Sequence, residues 1–367
     1  MKSDQPNPFS QYISHLSHDN TMGLVRYFLA LGVLIAHFNF IFDQNIPWVI
    51  SSYDSVGGFF ALSGFVLIGG LLKGMPWKKY NIKRAWRLLP SYFFVVVFFA
   101  VALSFISNLS FAQYFSSSGF WAYLAANISF LNFLHPSLPG VFEGDFSAVN
   151  ASLWTMKIEW QLYISAPIAV WICRRYNIIL IKGILAVIVV SILYRLGFAY
   201  LYDLKGQEVY EILGRQLFGQ LIFFYSGILA FCKLEFLKKN IVNITLLLGS
   251  IYIIFTFFYT SKIYFDFLES FVVAFLVILL SLSPHDLSRY IDGGHNISYE
   301  IYLCHFPVIQ TIRHFYELNH WDTGVCFALS VIFTILTAIL IYVTVGRLYR
   351  KIPKKQTQPS SQPSTVE

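Results

Sequence analysis

Charged residues are scarce in this sequence of 367 residues: Lys, Arg, Asp and Glu together make up 12% of it, where a soluble globular domain carries about 25%. This scarcity excludes an ordinary water-soluble enzyme, because the polar surface needed to cover such a protein is missing. Cysteine is also rare, with four residues and no CxxC or Cys/His metal spacing, which excludes a disulfide scaffold and predicts no metal site. The net charge of +7 is too dispersed to indicate a nucleic-acid-binding protein.

Apolar and aromatic residues dominate instead, at 56% and 19% of the chain, so lipid is the predicted solvent for most of it. A helix that crosses the hydrocarbon core needs about 20 apolar residues, and about ten runs of suitable length are present. We predict spans at 22–42, 52–72, 90–108, 152–172, 177–200, 216–232, 241–260, 268–283, 296–314 and 324–345. The predicted fold class is therefore an all-α polytopic membrane protein, a bundle of about ten transmembrane helices.

The distribution of basic residues predicts the orientation of this bundle. The segments between spans on one side hold 17 Lys and Arg residues, and those on the other side hold 3. The positive-inside rule places the richer side, and with it both termini, in the cytoplasm. We accordingly predict an N-terminal cytoplasmic segment (1–21), a multi-span domain (22–345) and a basic, then disordered, cytoplasmic tail (346–367). The outer segment 109–151 contains an apolar stretch that we expect in the interface or re-entering the membrane.

Two ionisable residues lie inside the first predicted span, where a charge costs several kcal/mol and therefore indicates function. Arg26 and His37 are eleven residues apart, which places them on one helix face, about 16 Å apart along the axis. On this interpretation they line one channel, with Arg26 near its cytoplasmic end. The alternative is a snorkelling arginine and a hydrogen-bonded buried histidine.

The fourth predicted span carries a carboxylate, Glu159, at the centre of a polar face. The residues that share this face by helical spacing are Ser152, Thr155, Glu159 and Tyr163. A buried carboxylate needs a partner, and Arg26 or His37 is a candidate for that role, since a carboxylate often orients a histidine. A purely structural ion pair of Glu159 is the alternative.

The ninth predicted span places Tyr302 and His305 three residues apart on one face, with Pro307 locally loosening the helix. An ionisable group again lies at membrane depth. The spacing alone favours a hydrogen-bonded core histidine over a catalytic one.

The segment 73–89 holds six Lys and Arg residues and no acid. Much of this charge is explained by the positive-inside bias and by attraction to anionic lipid. Arg84 and Arg87, next to Lys83, are spaced i,i+3 on what we predict to be a short helix ended by Pro90. Two guanidinium groups so placed can converge on phosphate oxygens, which favours a polyphosphorylated cytosolic ligand.

Five sequence blocks, taken in order, resemble the membrane-bound acyltransferase-3 family. They are Arg26-x10-His37, GGFFALSGFVL (57–67), KRAWRLLPSYF (83–93), SLWTMKIEWQLY (152–163) and SYEIYLCHFPV (298–308). Members of that family are multi-span proteins that transfer acyl groups, often acetyl, from cytosolic acyl-CoA to hydroxyls of envelope carbohydrates or secondary metabolites. Many carry a second, periplasmic hydrolase-like domain; here the chain stops at Glu367, so the resemblance implies a stand-alone member.

The resemblance also implies roles for individual residues. The arginine and histidine of the first block, the FFxxSGF block, the RxxR pair and the acidic residue of the fourth block are carried over, although Thr155 and Lys157 lie in a stretch that varies between members. The predicted catalytic residues are His37, Arg26 and Glu159. The predicted acyl-CoA-binding residues are Arg84, Arg87 and Lys83, and the predicted supporting residues are Ser63, Tyr302 and His305.

The activity implied is transfer of an acetyl group from acetyl-CoA, a substrate rather than a bound cofactor. The implied acceptor is a hydroxyl of a lipid-linked or surface polysaccharide such as lipopolysaccharide O-antigen, with the protein in the bacterial inner membrane. Membrane lipid is a further expected partner, nucleic acid is not, and the oligomeric state stays open.

Two mechanisms fit these residues. Either His37 is a general base supported by Glu159, or His37 accepts the acyl group covalently before passing it on. A proton-coupled secondary transporter, with Arg26, His37, Glu159 and His305 as a relay, is the rival prediction, and a regulatory or structural membrane subunit is the third.

Overall fold

The computed structural model describes residues 20–142, 146–258, 266–283, 295–319 and 321–346, and these residues form helices joined by loops. The α-helices are α1 (Met22–Phe42), α2 (Ser52–Leu72), α3 (Trp77–Ala102), α4 (Phe111–Ser116), α5 (Ser118–Ile128), α6 (Trp154–Arg175), α7 (Leu180–Lys205), α8 (Glu208–Gly214), α9 (Leu217–Cys232), α10 (Leu234–Lys239), α11 (Ile241–Phe258), α12 (Asp266–Ser281), α13 (Ser298–Asn319) and α14 (Thr323–Thr344). Short 3₁₀ turns lie at Leu103–Phe105 and Ala151–Leu153. The predicted all-α class is confirmed for this part of the chain. The predicted terminal segments lie almost entirely outside the described residues.

Within the described residues, six helical segments are long and apolar enough to cross a membrane: Met22–Phe42, Ser52–Leu72, Trp77–Phe105, Leu180–Lys205, Glu208–Cys232 and Thr323–Thr344. The other four predicted spans are also helical, as α6, α11, α12 and α13. Two of them, α6 and α13, have 22 residues each, so length does not limit them; their polar and charged residues lower the hydropathy. A multi-pass membrane protein is thus supported, and these polar helices are the ones that carry Glu159 and His305.

Helices α2 and α9 form a close backbone contact in the core. A Cβ added at Gly64 would lie 2.0 Å from the carbonyl oxygen of Phe224, and one at Gly227 would lie 2.0 Å from that of Ala61. Neither position accepts a side chain. Small residues at facing positions let two membrane helices approach in this way, and the contact fixes the rotation of α2, and so the direction of Ser63, within the bundle.

Proline does not end α3. The prediction that Pro90 terminates a short basic helix is wrong, because α3 continues through it to Ala102. A proline removes one backbone donor and kinks a helix. Inside a membrane bundle, however, no water is available to hydrogen-bond the backbone of an unwound helix, and neighbouring groups satisfy the freed carbonyl instead. Close to this proline, the hydroxyl of Tyr299 donates to the Leu88 carbonyl at 3.0 Å, which ties α13 to this part of α3.

Helix α13 likewise continues through Pro307. Since Pro307 has no N–H, the carbonyl four residues earlier, at Leu303, loses its helical donor. The side-chain amide of Asn150 donates to that carbonyl at 2.8 Å. Asn150 also holds the adjacent turn, because its Oδ1 accepts from the Ser152 hydroxyl at 2.6 Å. The loop before α6 is thereby fastened to the helix that carries His305.

The segment predicted to lie in the interface or re-enter the membrane contains two short helices, α4 and α5. A capping box between Ser110 and Gln113 begins α4, and α5 has 11 residues, too few to span a bilayer at about 1.5 Å per residue. Residues 143–145 of this segment lie outside the described residues.

Candidate active site

A cavity of about 50 Å³ lies where five helices converge: α1, α2, α3, α6 and α13. These are the helices that carry the five sequence blocks. The lining residues are Arg26, Val56, Phe59, Phe60, Ser63, Arg87, Leu88, Thr155, Glu159, Ser298, Tyr299 and Tyr302. All of them except Val56 belong to the blocks, so segments far apart in sequence build one site.

The cavity contains two cations and one carboxylate. Arg26 and Arg87 are close enough for their charges to interact with each other and with Glu159. The hydroxyl of Tyr163 donates to Glu159, and the Ser63 hydroxyl lies 3.4 Å from that of Tyr163. Glu159 is therefore anchored within its own helix, four residues from its donor, and its negative charge partly balances the two guanidinium groups.

Tyr302 connects this cavity to the histidines. Its hydroxyl lies 2.7 Å from the Thr155 hydroxyl, and its ring centroid lies 5.9 Å from that of Phe59. On its other side, the ring centroid of His305 lies 5.8 Å away. Tyr302 thus forms the wall between the charged cavity and the histidines.

His37 and His305 are in direct contact across the bundle. Nδ1 of His37 lies 2.8 Å from Nε2 of His305, and the rings stack with centroids 5.0 Å apart. His305 is fully buried, and its Nδ1 lies 2.8 Å from the Tyr302 carbonyl oxygen. Phe306 packs edge-on against His37 at 5.1 Å. The pair joins residues 268 positions apart in the chain.

For two neutral rings, only one arrangement of protons satisfies these contacts. A carbonyl oxygen can only accept, so Nδ1 of His305 carries the proton and donates it to the Tyr302 carbonyl. Nε2 of His305 then has a lone pair and accepts from Nδ1–H of His37. Nε2 of His37 is left with a lone pair, and it has no hydrogen-bond partner among the described residues. Since His37 is only partly buried, this nitrogen is arranged as a base or nucleophile.

The structure changes the predicted partnerships. One predicted mechanism required Glu159 to support His37. Instead, the hydrogen-bond donor to Glu159 is Tyr163, and the charges next to it are Arg26 and Arg87. His305 takes the place of Glu159 beside His37 because α13 packs along α1. The favoured prediction that His305 is a hydrogen-bonded core histidine describes its burial correctly but omits its contact with His37.

The predicted acyl-CoA-binding residues do not all lie in the cavity. Arg87 lines the cavity, whereas Arg84 lies with its guanidinium carbon 5.7 Å from the Tyr80 ring centroid and does not line it. Lys83 is exposed. Arg84 and Arg87 lie on successive turns of α3 and have different neighbours, and the cation that shares the cavity with Arg87 is Arg26.

Several residues with structural roles were not predicted. Asn150 carries no distinctive signal in the sequence, and only the fold shows that its side-chain amide donates to the Leu303 carbonyl. Asp54 and Arg195 are 3% and 7% exposed, and both lie inside predicted spans. The rule that singled out Arg26, an ionisable residue at membrane depth, identifies these two as well when it is applied to every span.

Comparison with known proteins gives the family. A family model described as an acyltransferase domain matches residues 19–343. Nodulation protein 10 of Rhizobium leguminosarum bv. viciae is 24% identical over 325 residues, which cover 83% of this chain and 86% of that protein. An O-acetyl transferase of Shigella phage Sf6 is 21% identical over 339 residues, 86% of this chain and 92% of that protein.

A third relative is longer than this chain. The O-acetyltransferase OatA of Staphylococcus aureus (strain MRSA252) is 24% identical over 383 aligned positions, which cover 91% of this chain and 59% of that protein. No solved structure matches. The family model spans all five helices that line the cavity as well as both histidines, and the chain therefore belongs to the acyltransferase-3 family of membrane acyltransferases.

Proposed function

We propose that this protein is an integral membrane O-acetyltransferase that moves an acetyl group from cytosolic acetyl-CoA to a hydroxyl of a lipid-linked or surface polysaccharide, such as lipopolysaccharide O-antigen. The observation that carries the proposal is the pair His37–His305, which leaves Nε2 of His37 with an available lone pair. Two of the relatives are named as O-acetyl transferases, which supports acetyl as the group moved. Membership of an acyltransferase family decides against the secondary transporter.

Acetyl-CoA is bound by charged residues in the cavity, and its thioester reacts at His37, farther along α1. Arg26 and Arg87 offer two guanidinium groups in one cavity, a fit for the phosphates of CoA. Arg26 and His37 are about 16 Å apart along α1, a distance that the extended pantetheine arm of CoA can bridge. The cavity is small, so Tyr302 and Phe59 must move aside for the thioester to reach His37.

The chemical step uses His37 as a general base. Its Nε2 removes the proton from the acceptor hydroxyl while that oxygen attacks the thioester carbonyl. The carbon–sulfur bond then breaks, and the CoA sulfur leaves with the proton that His37 had taken. His305 accepts the hydrogen bond from Nδ1 of His37 throughout, which keeps the reactive nitrogen unprotonated at the start. A covalent acyl-histidine intermediate needs the same lone pair.

This chemistry requires access from both sides of the membrane. We propose ten transmembrane helices with both termini in the cytoplasm of a bacterial inner membrane. The basic segment 73–89 then faces the cytoplasm and acetyl-CoA, and the polysaccharide approaches from the outer side. The asymmetry of Lys and Arg along the sequence supports this orientation.

The test is genetic and chemical. In a deletion strain, wild-type protein should restore ester-linked acetyl groups on the surface polysaccharide, measured by NMR, and His37→Ala should not. His135→Ala is the matched control, because His135 is exposed and lies outside the site. Membrane levels of all three proteins are measured in parallel.

Two outcomes contradict the proposal. If His37→Ala restores acetylation fully at equal expression, the chemistry does not depend on His37. If deletion changes no ester but abolishes movement of a solute across the membrane, the protein is not an acetyltransferase of polysaccharide.

A further inference from the structure

A second, larger cavity of about 540 Å³ lies at the end of the bundle where α2 begins. Its walls come from the start of α2, the second half of α7, α8 and the start of α12. It shares no residue with the cavity that holds Arg26 and Glu159. Tyr53 in its wall lies ten residues before Ser63, about 15 Å along α2. Its volume lies in the range of sites that hold small ligands, about 300–1,000 Å³.

The buried cation in the wall of this cavity, Arg195, is already paired. Arg195, 7% exposed, donates to Asp266 and, at 2.7 Å, to the Ser270 hydroxyl. Its charge is therefore balanced within the wall. A buried cation held in this way is a fixed group that is already paired, and it attracts no further anion.

Asp54 is the unusual member of this wall. It is 3% exposed; its Oδ2 accepts from the Ser51 hydroxyl at 2.6 Å, and its Oδ1 has no donor among the described residues. Buried carboxylate oxygens are normally hydrogen-bonded, because burial without a partner is costly. The lone oxygen of Asp54 is therefore a place where a ligand hydroxyl can donate.

The wall also excludes several classes of ligand. Two further acids, Glu269 and Glu211, line the cavity, so the carboxylates outnumber the two arginines and an anionic ligand such as a phosphate group is disfavoured. A metal ion is disfavoured by volume, and no cluster of His, Cys, Asp and Glu that fits a metal occurs in the part of the chain that the structure describes. A neutral ligand rich in hydroxyl groups suits this wall, because it adds no charge and can donate to the unpaired oxygen of Asp54.

Aromatic rings complete the match to that ligand. Phe198, Tyr202 and Tyr210 line the upper part of the cavity, and the ring centroids of Phe198 and Tyr210 lie 6.5 Å apart. The faces of aromatic rings pack against the C–H faces of sugars, while carboxylates accept from sugar hydroxyls. The ring of Tyr53 contacts cations instead: the guanidinium carbons of Arg195 and Arg215 lie 5.4 and 5.3 Å from its centroid.

We propose that this cavity binds a saccharide unit of the acceptor polysaccharide away from the hydroxyl that reacts. The proposal rests on the proposed function, which supplies a polysaccharide acceptor. Binding a non-reacting part of a long substrate at a distance from the chemistry is a recognised use of binding energy. The acceptor would then be selected at this cavity and acylated at His37.

The experiment measures binding directly. The full-length protein in nanodiscs is titrated with oligosaccharide fragments of the producing cell's own surface polysaccharide, stripped of esters with mild alkali, and followed by saturation-transfer NMR. Tyr202→Ala and Asp54→Asn should each weaken the Kd of the fragments about tenfold, and Tyr202→Phe, which keeps the ring, should bind as wild type. Tyr200→Ala is the matched control: it lies on the same helix, is 58% exposed and does not line the cavity.

The same samples are tested for acetyl-CoA binding and for acetyl transfer to the fragments. Unchanged acetyl-CoA binding in Tyr202→Ala, together with weaker fragment binding, supports the proposal. Fragment binding equal to wild type in both Tyr202→Ala and Asp54→Asn, or no binding by wild type, overturns it. If acetyl transfer occurs but the variants bind the fragments normally, the cavity assignment fails and the proposed function stands. If the fragments bind at this cavity but no acetyl group is transferred, the cavity assignment stands and the proposed function fails.

Discussion

The hydrogen bond between the two histidines can be removed without changing the charge of the site. In His305→Leu, Nδ1 of His37 loses its acceptor, and the tautomer with an unprotonated Nε2 loses the contact that selects it. We expect His37 to place its proton on Nε2 instead, where it can no longer act as a base. His305→Gln is the conservative variant, because an amide oxygen can accept from His37 near the position of the imidazole Nε2.

The size of the effect follows from the contact. A hydrogen bond of this kind contributes about 0.5–1.5 kcal/mol, and a buried donor left without an acceptor costs about 1–3 kcal/mol. His305 is fully buried, so little water can replace it. The second value, about 1–3 kcal/mol, is the free energy by which the reactive tautomer of His37 becomes disfavoured, and it corresponds to about a 5- to 160-fold loss in kcat. Most of the activity should return in His305→Gln.

The assay is acetyl transfer from acetyl-CoA by purified protein in nanodiscs, with kcat and KM measured separately. A positioning residue that acts through His37 lowers kcat while the KM for acetyl-CoA stays within about twofold, since donor binding is not touched. The matched control is His314→Leu, another histidine of α13, whose ring contacts Phe315 and which should keep the wild-type kcat. The reasoning is refuted if His305→Leu retains full kcat, or if the leucine and glutamine variants are equally impaired.

Three further predictions concern the donor site and the packing that holds it. Arg87→Gln should raise the KM for acetyl-CoA about tenfold or more, because a charge-assisted contact in the cavity is lost; Arg84→Gln should change it less, and equal effects would contradict the assignment of the cavity to the donor. Gly64→Ala should lower the thermal midpoint of the detergent-solubilised protein by an amount that corresponds to about 1–3 kcal/mol, whereas Gly249→Ala, whose Cβ meets nothing within 4 Å, should not; equal midpoints would disprove the α2–α9 contact. Asn150→Ala leaves the Leu303 carbonyl without its donor and should cost about 1–3 kcal/mol in the same thermal assay, and an unchanged midpoint would show that the bond is not formed.

The apolar architecture was predictable from the sequence because spans leave a strong signal. The runs that became α1, α2 and α14 were placed within a residue or two of the observed helix ends, since a long apolar stretch in lipid has no alternative to helix. The same reasoning was wrong at Pro90. A local rule about proline assumes that water is available to the freed carbonyl, and inside the bundle it is not.

Several residues of the candidate site were predictable from the sequence, but their pairings were not. Arg26, Ser63, Glu159 and Tyr302 all line one cavity, as expected of polar groups in an apolar chain. The identity of neighbours was not accessible, because helical spacing gives only the face of each helix. Which faces meet depends on packing contacts such as that at Gly64.

The sequence by itself determined that this chain lives in a membrane, where its few ionisable groups lie, and which family its blocks resemble, because scarcity of charge and blocks in fixed order are properties of the chain. Only the tertiary structure decided that His37 pairs with His305 rather than with Glu159, and that Arg87 joins Arg26 rather than Arg84. It also revealed the second cavity around Asp54 and Tyr202. These are contacts between helices far apart in sequence, and their geometry is set by how closely the helices pack, which no local pattern records.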